Sequence, residues 1–497
     1  MAQHEAIWEE IKLDPERKIP KILKDVVVSR VKPSSDYDHP KVVYPNFFDI
    51  FVVIDRYQPT FLLSKLDSED PSTQFENFVL KAKTTLSHVL GVHAPLAGKW
   101  VSAEDPWMRK LICEGDGAIF VEATVDDDMA NYLDGEKFVH PEAFTGEYTV
   151  RDTWDVSQQV DLKHPNGKEL PSLIIQVTKF RCGGVSFVIN INHMTLDGSG
   201  FVHFMLFWVE IAFTGQTSIA RPTYDRSLLV SLEKVAQEMG LPPRSLVECI
   251  SARSPVSAGT VTVRKNFAVK RKTLDWLRQK SHEISGDPSE QPVRFSKFSC
   301  ISAALWRCCS RLPGVNGGGP PLVEFLIEGR ERWNDPPLPE GYTGNVLMCV
   351  PLPTIPASEL CEKPYSFAAS KVHQTIVSVN PKTAMEHIYN QVKEAVEMKA
   401  KVGNPDSQDL KQGDERVPAI FLSSLLHFDF PPEIDLGAGK VFCLSPCPVW
   451  PDTPGGFLFI LPPFAEEDGL TLHVQLDKTT LDLFLADPEF QMLISKS

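Results

Sequence analysis

The chain has 497 residues, of which 42% are hydrophobic, 23% charged and 9% aromatic. That composition excludes a disordered polymer, and the length implies more than one domain or one large pseudo-symmetric unit. A net charge of −15 argues against a nucleic-acid partner, which needs a basic surface.

The first 25 residues read as a surface extension with some helical character. Residues 26–31 alternate weakly and run into Lys32-Pro33-Ser34, the pattern of a strand ending in a turn. A second strand is expected at 48–54. Phe75, Phe78, Val79, Ala82, Leu86, Val89 and Leu90 recur at helical spacing, and the stretch from His93 to Gly98 stops that helix. Strands are expected at 118–125 and 173–179. Residues 185–191 are almost wholly apolar, as a strand buried on both faces would be, and they lead directly into His193. An apolar helix follows at 201–214. The chain from 217 to 259 reads as a crossover linker, and a second unit starts near residue 260. That unit has predicted helices at 299–311, 366–380 and 382–399, a strand at 322–328, and further strands near Phe421, Val441, Gly456 and Leu470. Interleaved strands and helices give an α/β layered architecture.

There is no cationic, apolar leader at the start and no apolar run long enough to span a membrane, so a cytoplasmic protein is expected. Ten cysteines in a chain of this length are read as reduced thiols rather than a disulfide framework. Cys443 and Cys447 lack a second pair at zinc spacing, so no metal site is expected.

The segment Asn192-His193-Met194-Thr195-Leu196-Asp197-Gly198 carries the chemistry. A histidine leaving the end of a buried strand is rigidly placed, and imidazole, with an ordinary pKa of about 6.5, can accept a proton near neutral pH. The glycine permits a sharp turn. Asp197 has two readings: it hydrogen-bonds His193 as in a triad, or it points away and braces the turn. No Gly-x-Ser-x-Gly elbow, phosphate loop or His-Glu-x2-His motif is present. Without an evident nucleophile, direct transfer from a bound activated donor is simpler than a covalent intermediate.

These residues resemble the plant BAHD acyltransferase family, across roughly 27–490. The His-x3-Asp-Gly signature is matched by His193, Asp197 and Gly198. The stretches Pro95-Leu96-Ala97-Gly98, Val177 to Gly184, Tyr224-Asp225-Arg226-Ser227-Leu228-Leu229, Ala304-Leu305-Trp306-Arg307 and Gly341-Tyr342-Thr343-Gly344-Asn345 are similar to family segments in the same order. The resemblance implies two pseudo-symmetric chloramphenicol-acetyltransferase-like α/β domains with a channel between them. The expected boundaries are an extension at 1–25, an N-terminal domain at 26–216, a crossover at 217–259 and a C-terminal domain at 260–497. It further implies a monomer of plant specialised metabolism. An acyl group, aromatic of the hydroxycinnamoyl type, would pass from acyl-CoA as co-substrate to the hydroxyl or amine of a small-molecule acceptor, with no other cofactor and His193 as general base. Asp197 is then expected to face away and pair with an arginine, for which Arg330 is the candidate. Ser296, Lys297 and Ser299 are candidates for contact with CoA.

Two departures matter. The family's Asp-Phe-Gly-Trp-Gly loop is matched by Asp435-Leu436-Gly437-Ala438-Gly439, which keeps Asp435, Gly437 and Gly439 but neither aromatic. Just upstream, Ser423 to Phe428 lacks the arginine with which shikimate-using relatives clamp a carboxylate, so shikimate and quinate are expected to be poor acceptors. The altered loop also admits a rival reading, a non-catalytic BAHD-like accessory protein of fatty-acid elongation.

Overall fold

A computed structural model describes residues 7–10, 23–34, 39–52, 57–102, 109–134, 138–139, 163–164, 167–252, 262–282, 294–313, 320–402, 419–427, 432–446, 455–463 and 469–495. The chain divides into two compact units. The first contains Met1–Ile250, Pro337–Val346 and Asp429–Trp450, and the second Ser251–Pro336, Leu347–Phe428 and Pro451–Ser497. Two segments from the later half of the sequence therefore pack with the first unit.

In the first unit the elements are β1 (Trp8–Glu10), β2 (Lys24–Val31), α1 (Phe47–Val52), β3 (Tyr57–Lys65), α2 (Pro71–Val92), β4 (Ala118–Val125), β5 (Leu173–Phe180), β6 (Gly184–Asn192), α3 (Gly198–Thr214), α4 (Leu232–Glu238) and α5 (Pro243–Ala252). A seven-stranded sheet runs β1-β2-β4-β5-β6-β3 and ends on the strand Val441–Pro446. Only β4 and β5 pair in parallel. Every residue of β6 is buried, as its unbroken apolar run predicts. The aromatic rings of Phe78 from α2, Phe187 from β6 and Trp208 from α3 meet edge to face, with centroids 5.6 and 5.8 Å apart, and so fasten both helices to the sheet.

Three local expectations are revised. Of the stretch expected as a strand at 48–54, the described part, 48–52, is helical, because Asn46 and Asp49 cap a helix reciprocally. The Asn46 N–H donates to Asp49 Oδ2 and the Asp49 N–H to Asn46 Oδ1, each at 3.0 Å. This capping box starts α1 against the strand preference of Phe47, Phe48 and Ile50. The N-terminal stretch contributes a strand, β1, paired with β2. Within the crossover, α4 starts at Ser231, whose hydroxyl accepts from the Lys234 N–H.

The second unit is built on a six-stranded sheet. Its elements are β7 (Thr262–Lys270), α6 (Arg271–Ser281), α7 (Lys297–Ser310), β8 (Leu322–Glu328), β9 (Leu347–Pro351), α8 (Tyr365–Ser378), α9 (Pro381–Val402), β10 (Ala419–Ser424), β11 (Gly455–Leu461), β12 (Gly469–Asp477), α10 (Lys478–Ala486) and α11 (Pro488–Ile494). The strand order is β7-β12-β11-β10-β8-β9, with β10 parallel to both β8 and β11. Its core gathers Leu277, Ile301, Leu305, Phe325, Val372, Ile460, Leu472, Phe484 and Phe490. Each unit is thus an α/β layer structure with its own core. Among the described residues no helix is long and apolar enough to cross a membrane. The described cysteines are unbridged, and all but Cys182 and Cys361 are buried.

Candidate active site

His193 follows the last residue of β6 and is 7% exposed. The chain turns sharply here: the Thr195 N–H bonds the Asn192 carbonyl at 2.8 Å, and the Met194 N–H bonds Asn192 Oδ1 at 3.1 Å. The Trp100 indole N–H holds the Thr195 hydroxyl at 2.9 Å. Gly198 does not make the turn, as its position in the motif suggested; it is the first residue of α3, and Asn192 supplies the bonds that close the turn.

The His193 ring is oriented by Asn345. Asn345 Nδ2 donates to Asp49 Oδ1 and to the His193 carbonyl, both at 2.8 Å. Both partners only accept, so the amide nitrogen must face them. Asn345 Oδ1 is then left facing His193 Nδ1, 3.2 Å away. An amide oxygen only accepts, so Nδ1 carries the proton and Nε2 carries the lone pair. Burial pushes the imidazole below its ordinary pKa, opposed by hydrogen bonding and by the carboxylates of Asp197 and Asp49. His193 is therefore neutral at pH 7, with one nitrogen ready to accept a proton.

Asp49 anchors this network. Its Oδ2 receives the Arg226 Nε–H at 2.7 Å, and both side chains are buried. Arg226 Nη2 in turn donates to the Thr195 carbonyl at 2.7 Å and to the Met194 carbonyl at 3.3 Å. Burial raises the Asp49 carboxyl above its ordinary value, while the Arg226 guanidinium and the Asn345 amide pull it down. One ion pair thus holds the turn that carries the base and, through Asn345, the ring of that base.

Asp197 caps α3, with Oδ1 accepting from the Gly200 N–H at 2.9 Å and Oδ2 from the Val346 N–H at 3.0 Å. The carboxylate ties the histidine turn to the segment carrying Asn345, which is a bracing geometry. Arg330, the expected arginine partner, belongs to the second unit, where its Nη1 donates to Glu328 Oε1 at 2.6 Å.

The altered loop packs in the first unit. Leu436 and Ala438 are buried and join the core of α2 and α3. Asp435 Oδ1 accepts from the Gly437 N–H at 2.7 Å, and the Ser64 hydroxyl of β3 bonds the Ala438 carbonyl at 3.0 Å. Two small apolar side chains thus occupy this core where the family pattern has aromatics. Ser296 caps α7 by accepting from the Ser299 N–H at 3.0 Å, Ser299 is buried, and Lys297 is exposed beside them.

Asn345, Asp49 and Arg226 are the site residues that sequence reading did not single out, although Arg226 and Asn345 lie within stretches that carried the family resemblance. They are scattered, with Asn345 lying 152 positions from His193 and Arg226 lying 177 positions from Asp49.

The Transferase family pattern matches residues 29–491. The chain belongs to that family, the BAHD acyl-CoA-dependent acyltransferases. Hydroxycinnamoyltransferase 1 of Oryza sativa subsp. japonica is 25% identical over 81% of this chain and 85% of its own length. Agmatine hydroxycinnamoyltransferase 1 of the same plant is 25% identical over 82% of this chain and 86% of its own. The crystal structure of vinorine synthase covers 98% of both chains with a TM-score of 0.57 at 16% identity, a likeness of fold. This BAHD chain is accordingly an acyl-CoA-dependent acyltransferase of two α/β units.

Proposed function

We propose that the enzyme transfers a hydroxycinnamoyl-type acyl group from its CoA thioester to the hydroxyl or amine of a small molecule, with His193 as general base. The observation that carries the role of His193 is the polarity of Asn345, which puts the lone pair on Nε2. Nε2 takes the proton of the acceptor O–H or N–H as the acceptor attacks the thioester carbonyl. The tetrahedral oxyanion collapses, the carbon–sulfur bond breaks, and the Nε2 proton passes to the departing CoA thiolate. A positioned base of this kind contributes about 10²–10⁴-fold. In this reading Asp197 positions the turn and takes no proton.

The names of both rice relatives support the donor class, and agmatine in one of them supports an amine acceptor. The stretch from Ser423 to His427 holds no arginine, so a carboxylate-bearing acceptor lacks a bidentate clamp there. In the second unit, Lys297 is the candidate contact for CoA phosphates, because the Ser296 hydroxyl is engaged in the cap. The chain works in this reading as a cytoplasmic monomer, with acyl-CoA as co-substrate and no further cofactor.

The test incubates wild type and His193→Ala with aromatic and aliphatic acyl-CoAs against pooled alcohols and amines, with products identified by mass spectrometry. An acylated product from wild type, reduced at least about 10²-fold in the variant, is expected. Equal product from both would remove His193 from the chemistry, and a strict preference for aliphatic donors would overturn the donor class.

A further inference from the structure

The second unit contains a buried grouping that acyl transfer does not use. Val323, Phe325, Met348 and Val350 belong to the apolar core, so strand alternation turns Glu324 of β8 and Cys349 of β9 to the opposite face of the sheet. There they are diagonal neighbours, since Glu324 pairs with Pro351 and Leu326 with Cys349. Helix α9 brings His387 and Gln391, one turn apart, to the same place. Cys349 Sγ lies 3.2 Å from Glu324 Oε2, and His387 Nε2 lies 3.0 Å from Glu324 Oε1. One ligand atom from each of Glu324, Cys349 and His387 falls within 4.8 Å of the others.

Two features of this grouping are poorly served by hydrogen bonds alone. The first is charge. Glu324 is 1% exposed, and among the described residues its ion-pair partner is His387, a cation only when protonated, with no lysine or arginine beside it. A buried carboxylate without a cation is costly. The second is valence. Glu324 Oε1, His387 Nε2 and Gln391 Nε2 form a triangle with sides of 3.0, 2.8 and 2.9 Å. The ring nitrogen cannot donate to Glu324 and also accept from the Gln391 amide. A divalent cation resolves both, because the imidazole lone pair and the carboxylate oxygen can then face the same positive charge.

We propose that Glu324, Cys349 and His387 bind a divalent transition metal of the zinc type, with Gln391 beside them as a fourth ligand once its amide is turned or as a partner to a bound water. Carboxylate, thiolate and imidazole are the ligand types zinc takes, at about 2.0–2.3 Å, and that places ligand atoms roughly 3.4 Å apart around a tetrahedron. Binding deprotonates the Cys349 thiol and releases that proton to solvent. With two anionic ligands the site is electrically neutral. The metal clamps α9 to β8 and β9, which makes it structural rather than catalytic. The ligands lie 25 and 63 positions from Glu324, so no short zinc motif announces them.

The test uses the full-length protein, purified without chelator. Zinc is titrated in competition with a chromogenic chelator, and Co(II) is added to a second sample. Wild type is expected to hold about one equivalent of zinc, to show thiolate-to-cobalt charge-transfer absorption in the near ultraviolet, and to melt at higher temperature with zinc. Cys349→Ser should lose the charge-transfer band. Glu324→Gln keeps the shape of the site and one acceptor oxygen without its charge, and should bind zinc at least about tenfold more weakly. Cys182→Ser, which alters an exposed thiol, should behave as wild type. Zinc uptake equal in wild type and Glu324→Gln, or a cobalt spectrum without charge transfer in folded wild type, would overturn the proposal and leave the cluster a hydrogen-bonded network.

Discussion

Asn345 grips His193 twice, its amide nitrogen donating to the histidine carbonyl at 2.8 Å and its amide oxygen facing Nδ1 at 3.2 Å. Main chain and ring of one residue are therefore oriented by a single side chain, which Asp49 in turn orients. In triads this orienting position is held by a carboxylate. An amide there fixes the tautomer without adding a negative charge.

Asn345→Leu should lower kcat by about 10²-fold or more, because the ring loses both tautomer and orientation, while KM for acyl-CoA stays within about threefold. Asn345→Asp keeps an acceptor opposite Nδ1 and adds a charge, so the acid limb of its rate profile should move to higher pH. Steady-state kinetics across pH separates the two. An unchanged profile in Asn345→Asp would mean that this side chain does not tune the base.

The wild-type profile follows from the same burial. The folded imidazole binds its proton only below the ordinary value near 6.5, and the protonated ring is inactive as a base. The rate should hold as pH falls to about 6.5 and drop only at more acidic values. Measurement of kcat/KM against pH checks this, and an acid limb centred at or above about 6.5 would contradict it.

Arg226→Met should destabilise the protein by about 3–5 kcal/mol, since it strands a buried Asp49. The double variant Asp49→Leu, Arg226→Met should recover part of that loss. Denaturant midpoints for the four proteins give the coupling. Strictly additive losses would show that the pair does not act as a unit.

Much of the frame was legible. The strands at 118–125 and 322–328 agree with the structure to the residue, because apolar runs bounded by turns leave little choice. The helix of Phe75 to Leu90 followed from its spacing, and His193 from its motif at a strand end. Residues 47–52 misled because aromatic and branched side chains favour strands, and only the reciprocal caps of Asn46 and Asp49 decide otherwise. The β3 strand was hidden by Pro59, which argues against a strand interior. Asp49, Arg226 and Asn345 could not be assembled from one sequence, as the contacts joining them follow from tertiary packing rather than local spacing. The same holds for Glu324, Cys349 and His387.

Asp197→Ala should cost about 1 kcal/mol for the lost cap and a further ~1–3 kcal/mol for the orphaned Val346 N–H. Activity should fall less than in His193→Ala, because the carboxylate holds backbone rather than the proton. Asp197→Asn, which keeps one acceptor, should lie between. A folded Asp197→Asn as inactive as His193→Ala would restore the triad reading.

The altered loop offers a test in which two glycines with the same backbone demand should part company. Gly437 has φ +100° and Gly439 φ +90°, so both occupy a conformation that side chains rarely adopt. A Cβ on Gly437 would meet nothing within 4 Å, whereas one on Gly439 would sit 2.1 Å from the Lys65 carbonyl oxygen of β3. Gly437→Ala should therefore carry only the backbone strain, about 1–3 kcal/mol. Gly439→Ala must in addition move either the loop or the edge of β3, and should be the more destabilising of the two. Because Lys65 lies opposite Gly184, at the far end of β6 from His193, both variants should leave kcat within about twofold. Thermal melts and initial rates on both variants check this. Equal destabilisation would mean that the loop yields without disturbing the strand.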